Sequence, residues 1–304
     1  MNIKITSVTE EQFPEWLNVM KRGFGKTPDI KKTKPLQNHI EMDRIFAAVD
    51  NNSKQIIGTG GANSFLLTIP GGTAIPMAGV GYVATATSHR RQGIFSNMMH
   101  HIHKSAQERG DLVCGLWASQ YQIYSRLDYG PSMNLHGWEI DPRFGKFSVL
   151  PSSVAQVEYV DIKKAEIFFP GIYEQMRLKT VGAVNRTNNS WRDRLYGDNT
   201  KTDGTPESFF VICNENNEKT GYAMFKVHRS NKSDMRMHRE ADSHLHSIEV
   251  EEAISITSNA HAALWRFILD FDLIRSVIAV NRPSDDPLWW MLADPRRLKR
   301  FTRD

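Results

Sequence analysis

The segment Ser88-His89-Arg90-Arg91-Gln92-Gly93 stands between an extended apolar run and an amphipathic stretch that begins at Ile94. A helix N-terminus already presents free backbone N–H groups and the positive end of the helix dipole. Two further arginines at that point are unfavourable unless an anion arrives. Gly93 removes a side chain where such an anion has to approach closely, and Arg90 and Arg91 can add charge from the rim. Strand, Arg-Arg-x-Gly, helix is therefore read as an anion-binding arrangement over Arg90, Arg91, Gln92, Gly93 and Ile94.

Other residues with chemical potential are read more plainly. The glycines of Gly58-Thr59-Gly60-Gly61 open no helix, so they indicate a bulged strand and no dinucleotide fingerprint. His100, His101 and His103 lack the i, i+4 spacing of a helical metal pair and are expected to be solvated, with no metal site. Cys114 lies in the apolar run Leu112–Ala118 and is expected in the core. It stands about 100 residues from Cys213, and neither cysteine belongs to a metal-spaced cluster, so reduced thiols are expected. The formal net charge of +4 suits an anionic ligand and is too small to argue for nucleic acid. The basic tail from Arg296 to Asp304 could be linker. No window of about 18 apolar residues is present, and the alternating Met1–Thr6 lacks the apolar core of a secretion signal, so no membrane partner and a cytoplasmic location are expected.

Elements that would position these residues follow from periodicity. Strands are expected at Ile3–Val8, Arg44–Val49, Ile56–Ile69 and Ile75–Thr85, and a helix starts near Phe13, with Phe13, Trp16, Leu17 and Met20 at helical spacing. After Gly93, Ile94, Phe95, Met98, Met99, Ile102 and Ala106 form one stripe, which Gly110 ends. A strand at Leu112–Ala118, a short helix at Gln122–Leu127 and a closing strand at Met133–Ile140 complete the first half. In the second half, helices are expected at Phe168–Leu178, Trp191–Leu195 and Thr257–Leu269. Strands are expected at Phe209–Cys213, Gly221–Val227, Leu245–Val250 and Ser276–Val280. With 304 residues, two domains are expected, at 1–148 and 149–304.

The motif Val83–Phe95 resembles the acetyl-CoA pyrophosphate-binding motif of the GNAT acetyltransferases. Together with "WASQYQIYSRLDYGPS" from Trp117 and the late "LWRFILDFDLI…NRPSDDPLWWMLADPRRL", it resembles the enhanced intracellular survival (Eis) family, bacterial N-acetyltransferases of aminoglycosides and lysine amines. The resemblance implies an α+β fold of two GNAT-like domains, each a mixed, mostly antiparallel sheet flanked by helices, with acetyl-CoA bound by the first domain alone. The helix near Thr257 is preceded by Glu251 and Glu252, which would repel phosphate. Thr85 and Thr87 replace a Val and a Pro of the family pattern; Thr is still compatible with a strand.

By the same resemblance, Val83 and Thr85 bind the pantetheine and polarise the thioester carbonyl, and Ser119 and Gln120 open the splay where the cofactor enters. Tyr124 matches the general acid, a phenol of pKa about 10 suited to protonating a thiolate, with Tyr129 as its rival. Phe24 and Asp29 would line the site of a small-molecule primary amine. The cations Lys21, Arg22, Lys26, Lys31, Lys32 and Lys34 around them would repel a polycation. Family members continue into a sterol-carrier-like domain whose terminal carboxylate serves as base, so a weak acetyltransferase is expected of the sequence ending at Asp304. A homo-oligomer is expected, and the alternative function is a non-catalytic acyl-CoA-binding protein.

Overall fold

The computed structural model describes residues 3–27, 37, 40–149, 155–197, 206–228 and 246–303. Asp29 and the lysines at 31, 32 and 34 lie outside the described residues. Two compact units are formed, one by residues up to Gly130 with Thr180–Ser190, the other by Pro131–Lys179 with Trp191 onward.

The first unit contains β1 (Ile3–Ser7), α1 (Phe13–Gly23), β2 (Ile45–Asp50), β3 (Ile56–Thr68), β4 (Ala74–Thr85), α2 (Ile94–Glu108), β5 (Val113–Leu116) and α3 (Tyr121–Ser125). Its sheet runs β1-β2-β3-β4-β5, antiparallel except for the last pair, β4 and β5, which are joined through α2. The apolar run of β2 does not alternate because both faces of the strand are covered. Phe46 and Ala48 pack with Met98 and Ile102 of α2, while Ile45 and Ala47 pack with Phe13, Trp16 and Leu17 of α1. The glycine run lies within β3, with a register shift against β4 between Thr59 and Gly61. There α2 comes so close that a Cβ on Gly60 would sit 2.6 Å from Met98 Cγ.

The end of α2 follows its sequence signal. Gly110 has φ +82°, its N–H donates to Gln107 O, and the Asp111 N–H donates to Ala106 O, the two bonds of a Schellman motif. Asp111 then accepts from Arg44 Nη2 at 2.5 Å, and Arg44 Nη1 donates to Ser64 Oγ at 2.6 Å.

The second unit carries β6 (Leu135–Ile140), β7 (Ala155–Val160), α4 (Ile162–Arg177), β8 (Glu207–Glu215), β9 (Glu218–His228), β10 (His246–Ser255), α6 (Ser258–Leu269), β11 (Ile274–Pro283), α7 (Leu288–Met291) and β12 (Lys299–Arg303); α5 (Asn188–Tyr196) begins in the first unit and ends in the second. The sheet order is β12-β6-β11-β10-β9-β8-β7, with β10 and β11 parallel and the other pairs antiparallel.

Several sequence expectations are corrected here. The strand at Leu135–Ile140 does not close the first domain: it pairs with β11 and β12 and buries Trp138 and Ile140 in the second core. The long segment of the first unit accordingly ends at Gly130, where the sequence reading expected a division after 148, and Thr180–Ser190 completes the unit. The basic tail contributes β12, an edge strand of the kind in which lysine and arginine discourage further pairing. Helix α4 starts six residues before Phe168 because Asp161 caps it, accepting from the Lys164 N–H at 2.8 Å. Strand β10 continues past Val250 to Ser255 through a bulge. Strand β7 was not anticipated.

Inside the second unit, the buried Asp286 carboxylate accepts from Arg282 Nε at 2.7 Å and from the Leu288 N–H at 3.0 Å. His261 Nε2 lies 3.3 Å from its other side, and Arg282 sits over Trp265, 5.5 Å from the ring centroid. Burial pushes the Asp286 carboxyl up, but the His261 contact and the Arg282 charge outweigh it and hold the group at about 2. Replacing Asp286 by Ala leaves Arg282 buried without its counter-charge, which costs about 3–5 kcal/mol. The folded-state value is depressed, so the wild-type contribution is complete above about pH 4 and fades as pH falls through about 2. Urea unfolding between pH 2 and 7 should show the wild-type advantage over Asp286→Ala shrinking only at the acid end.

Candidate active site

After Thr85 the chain makes a 3-10 turn at Thr87–His89 and enters α2 through two left-handed residues, Arg91 (φ +62°) and Gly93 (φ +79°, ψ −1°). Gly93 is the residue before the helix, and its conformation is one that side chains resist. A Cβ built there meets no atom within 4 Å, so the approach to the helix end is open. No side chain caps α2 and its first turn holds no acidic residue. The intrahelical ladder begins with Asn97 N–H to Gly93 O, which leaves the N–H groups before it for a ligand. Arg90, Arg91, Gln92 and Gly93 are exposed, and neither arginine has an ion-pair partner among the described residues.

Beside this helix end the sheet splits. Strands β4 and β5 pair from Met77↔Val113 to Val80↔Leu116 and no further. Beyond that point Gly81–Thr85, including Val83 and Thr85, keeps β3 on one side and has an unpaired backbone edge on the other. Tyr82, at φ +62°, makes the bulge that re-aims this edge. Its carbonyl accepts from Thr59 Oγ1 at 2.7 Å and its hydroxyl from Asn63 Nδ2 at 2.8 Å, which together hold the strained residue in place. Nothing in the sequence pattern announced Tyr82; an aromatic inside a strand gives no signal of a positive φ.

Tyr124 of α3 is buried at the same split. It packs edge-on to Phe95 of α2, with centroids 5.6 Å apart, in one cluster with Ile94 and Val83. The expected sites Val83, Ile94 and Tyr124 are thus brought together by packing. Burial pushes the Tyr124 phenol above its ordinary 10, opposed by a hydrogen bond with the Ser119 hydroxyl. Ser119 and Gln120 are exposed in the turn between β5 and α3, where Gln120 takes the position before the helix.

Tyr129 is anchored differently. Its hydroxyl lies 2.9 Å from His103 Nε2. Burial raises the Tyr129 phenol and the Cys114 thiol and lowers the His103 imidazole, so the trio is neutral near pH 7. This corrects the expectation of solvated histidines. His100 is exposed, with Nδ1 2.7 Å from Ser96 O, but His101 packs edge-on to Phe46 and His103 is half-buried on Tyr129. Among the described residues, no group of three or more His, Cys, Asp or Glu is placed to hold a metal.

Phe24 is exposed directly after α1, whose last residue, Gly23, lies against Ala84 of β4. The structure therefore brings Phe24 to the far end of the split strand, with Lys21, Arg22 and Lys26 around it in sequence.

The second unit repeats the pattern of bulged strand and helix, with β10 shifting register between Val250 and Glu252 before Thr257 and α6. Its helix end is closed. Thr257 Oγ1 accepts from the Ala260 N–H, and the Glu215 carboxylate accepts from Thr257 Oγ1 and from Asn259 Nδ2, each at 2.7 Å. Glu251 and Glu252 do not perform this role; they bond to Lys226 and Tyr222. Glu215 escaped sequence reasoning because it is distant in sequence from the helix it serves.

A split parallel pair beside an uncapped helix that follows an Arg-Arg-x-Gly turn defines an acyltransferase fold. The chain belongs to the GNAT acetyltransferases: models of the acetyltransferase (GNAT) domain match residues 4–132 and again 182–303. Within that superfamily it is Eis-like. It is 27% identical to the N-acetyltransferase Eis of Mycobacterium tuberculosis over 97% of this chain and 70% of that protein. The crystal structure of Eis1 from Mycobacterium abscessus superposes with a TM-score of 0.81 at 22% identity, covering 100% of this chain and 72% of the other. The fold extends to Saccharomyces cerevisiae N-myristoyltransferase with bound myristoyl-CoA, with a TM-score of 0.56 at 10% identity, covering 99% and 83%. The protein is an acyltransferase of the GNAT type, and this fold implies an acyl-CoA co-substrate.

Proposed function

We propose that the first unit transfers an acetyl group from acetyl-CoA to a primary amine. The observation that carries this reading is the contrast between the two helix ends. α2 is uncapped, open at Gly93 and flanked by unpaired arginines, whereas α6 is closed by Thr257 and Glu215. Arg90, Arg91, Gln92, Gly93 and Ile94 hold the pyrophosphate through charge and backbone N–H groups. The free edge of Gly81–Thr85, with Val83 and Thr85, takes the pantetheine arm and polarises the thioester carbonyl. Ser119 and Gln120 border the entrance. The second unit carries no acyl-CoA.

The amine nitrogen attacks the thioester carbon directly. A C–N bond forms, the C–S bond breaks, the nitrogen loses a proton to solvent or a base, and Tyr124 gives its phenolic proton to the departing thiolate. Its neighbour Tyr129 is a poorer donor because its hydroxyl already serves His103.

Phe24 lines the acceptor side in this proposal, Asp29 is carried as a proposed acceptor-binding residue, and aminoglycoside, polyamine and lysine-type amines are the candidate classes. The cations Lys21, Arg22 and Lys26 beside Phe24 oppose a polycation, so a lysine-type monoamine is the favoured acceptor. Acetylation of a lysine peptide, a polyamine and an aminoglycoside, followed by product mass, tests this. The peptide should lead at low ionic strength, and added salt should narrow the gap. An unmodified panel would refute amine acetylation.

A further inference from the structure

A cavity of about 450 Å³ in the second unit is lined by β6, β11, β12 and the turns Pro142–Phe144 and Pro295–Arg297. Its wall carries four arginines, Arg143, Arg275, Arg296 and Arg297, and Lys299. Two carboxylates, Glu139 and Asp141, share it.

Most of these cations have carboxylate partners. Arg143 forks onto Asp141, with Nε 3.0 Å from Oδ1 and Nη2 2.5 Å from Oδ2. Asp294 accepts from Arg296 Nε at 2.9 Å and lies 3.5 Å from Arg297 Nε. Arg297 also sits over the Phe144 ring, 4.3 Å from its centroid, and Lys299 stands 3.6 Å from Glu139. Arg275 is exposed and has no ion-pair partner among the described residues.

A guanidinium offers five donors, and a carboxylate fork occupies two of them. Arginines engaged by carboxylates and a ring therefore keep donors for a second anion. The cavity falls within the range of small-ligand pockets, about 300–1,000 Å³, and cations outnumber carboxylates on its wall. We propose that it binds a compact polyphosphate anion. Several clustered phosphoryl oxygens can engage several guanidinium forks at once, which one carboxylate cannot. The cavity shares no residue with the Arg90–Ile94 site.

The test is calorimetric titration of tripolyphosphate into the full chain, with sulfate as the control anion. Loss of one charge-assisted contact, in Arg275→Gln or in Arg297→Gln, should weaken binding about 10- to 100-fold. Arg275 is exposed and unpartnered, so its replacement is readable even if the Arg297 variant fails to fold. The double variant Arg90→Gln with Arg91→Gln should still bind tripolyphosphate at the cavity. Three results would overturn the proposal: equal binding by wild type and Arg275→Gln, binding lost with Arg90 and Arg91, or sulfate binding as tightly as tripolyphosphate.

Discussion

Tyr124→Phe should lower kcat by about 10²–10⁴-fold, the usual cost of removing a positioned acid, and should leave the KM for acetyl-CoA nearly unchanged. The phenol is buried with its ring packed edge-on to Phe95, so deletion of its hydroxyl removes one proton donor and little packing. Tyr129→Phe should cost much less in kcat, because that hydroxyl bonds to His103. The pH dependence separates the two tyrosines further. Burial raises the Tyr124 phenol above 10, so the acid form persists through neutral and moderately alkaline pH. The wild-type kcat profile should therefore show no descending limb from this group through neutral and moderately alkaline pH. An unimpaired Tyr124→Phe enzyme would assign the proton to another donor.

Gly93→Asp should raise the KM for acetyl-CoA on the order of 100-fold or more. Two effects act in the same direction. A carboxylate about 4 Å from a phosphate group opposes it by about 4 kcal/mol at an effective dielectric of 20. The φ of +79° is also unfavourable for any residue with a side chain. Gly93→Ala separates them: it keeps the backbone strain and omits the charge, since a Cβ there touches nothing within 4 Å. The alanine variant should fall between wild type and Gly93→Asp. An Ala variant as impaired as the Asp variant would mean that backbone geometry, not charge, governs this site.

What the sequence made legible was local. Helix α2 could be read because its buried stripe, its left-handed Gly93 and its terminal Gly110 are all written within one short segment. The anion reading of Arg90–Gly93 rested on the same local logic. Partnerships between distant segments were not legible. β6 has an ordinary strand pattern, and nothing in it specifies that β11 and β12 are its partners. β12 is too polar to announce a strand, because an edge position needs little burial. The closure of α6 by Glu215 and the anchoring of Tyr129 by His103 join residues far apart in sequence, and only tertiary structure reveals them. Tyr82 was silent for a different reason: its backbone conformation is imposed by the bulge and by Thr59, not by its own side-chain type.

The measurement that bears most directly on the account is a calorimetric titration of acetyl-CoA into the wild-type chain and into Gly93→Asp, side by side. The open end of α2 and the closed end of α6 predict one molecule bound per wild-type chain and no measurable binding to the variant at the same concentrations. Equal affinity in the two proteins, or two molecules bound per chain, would contradict it.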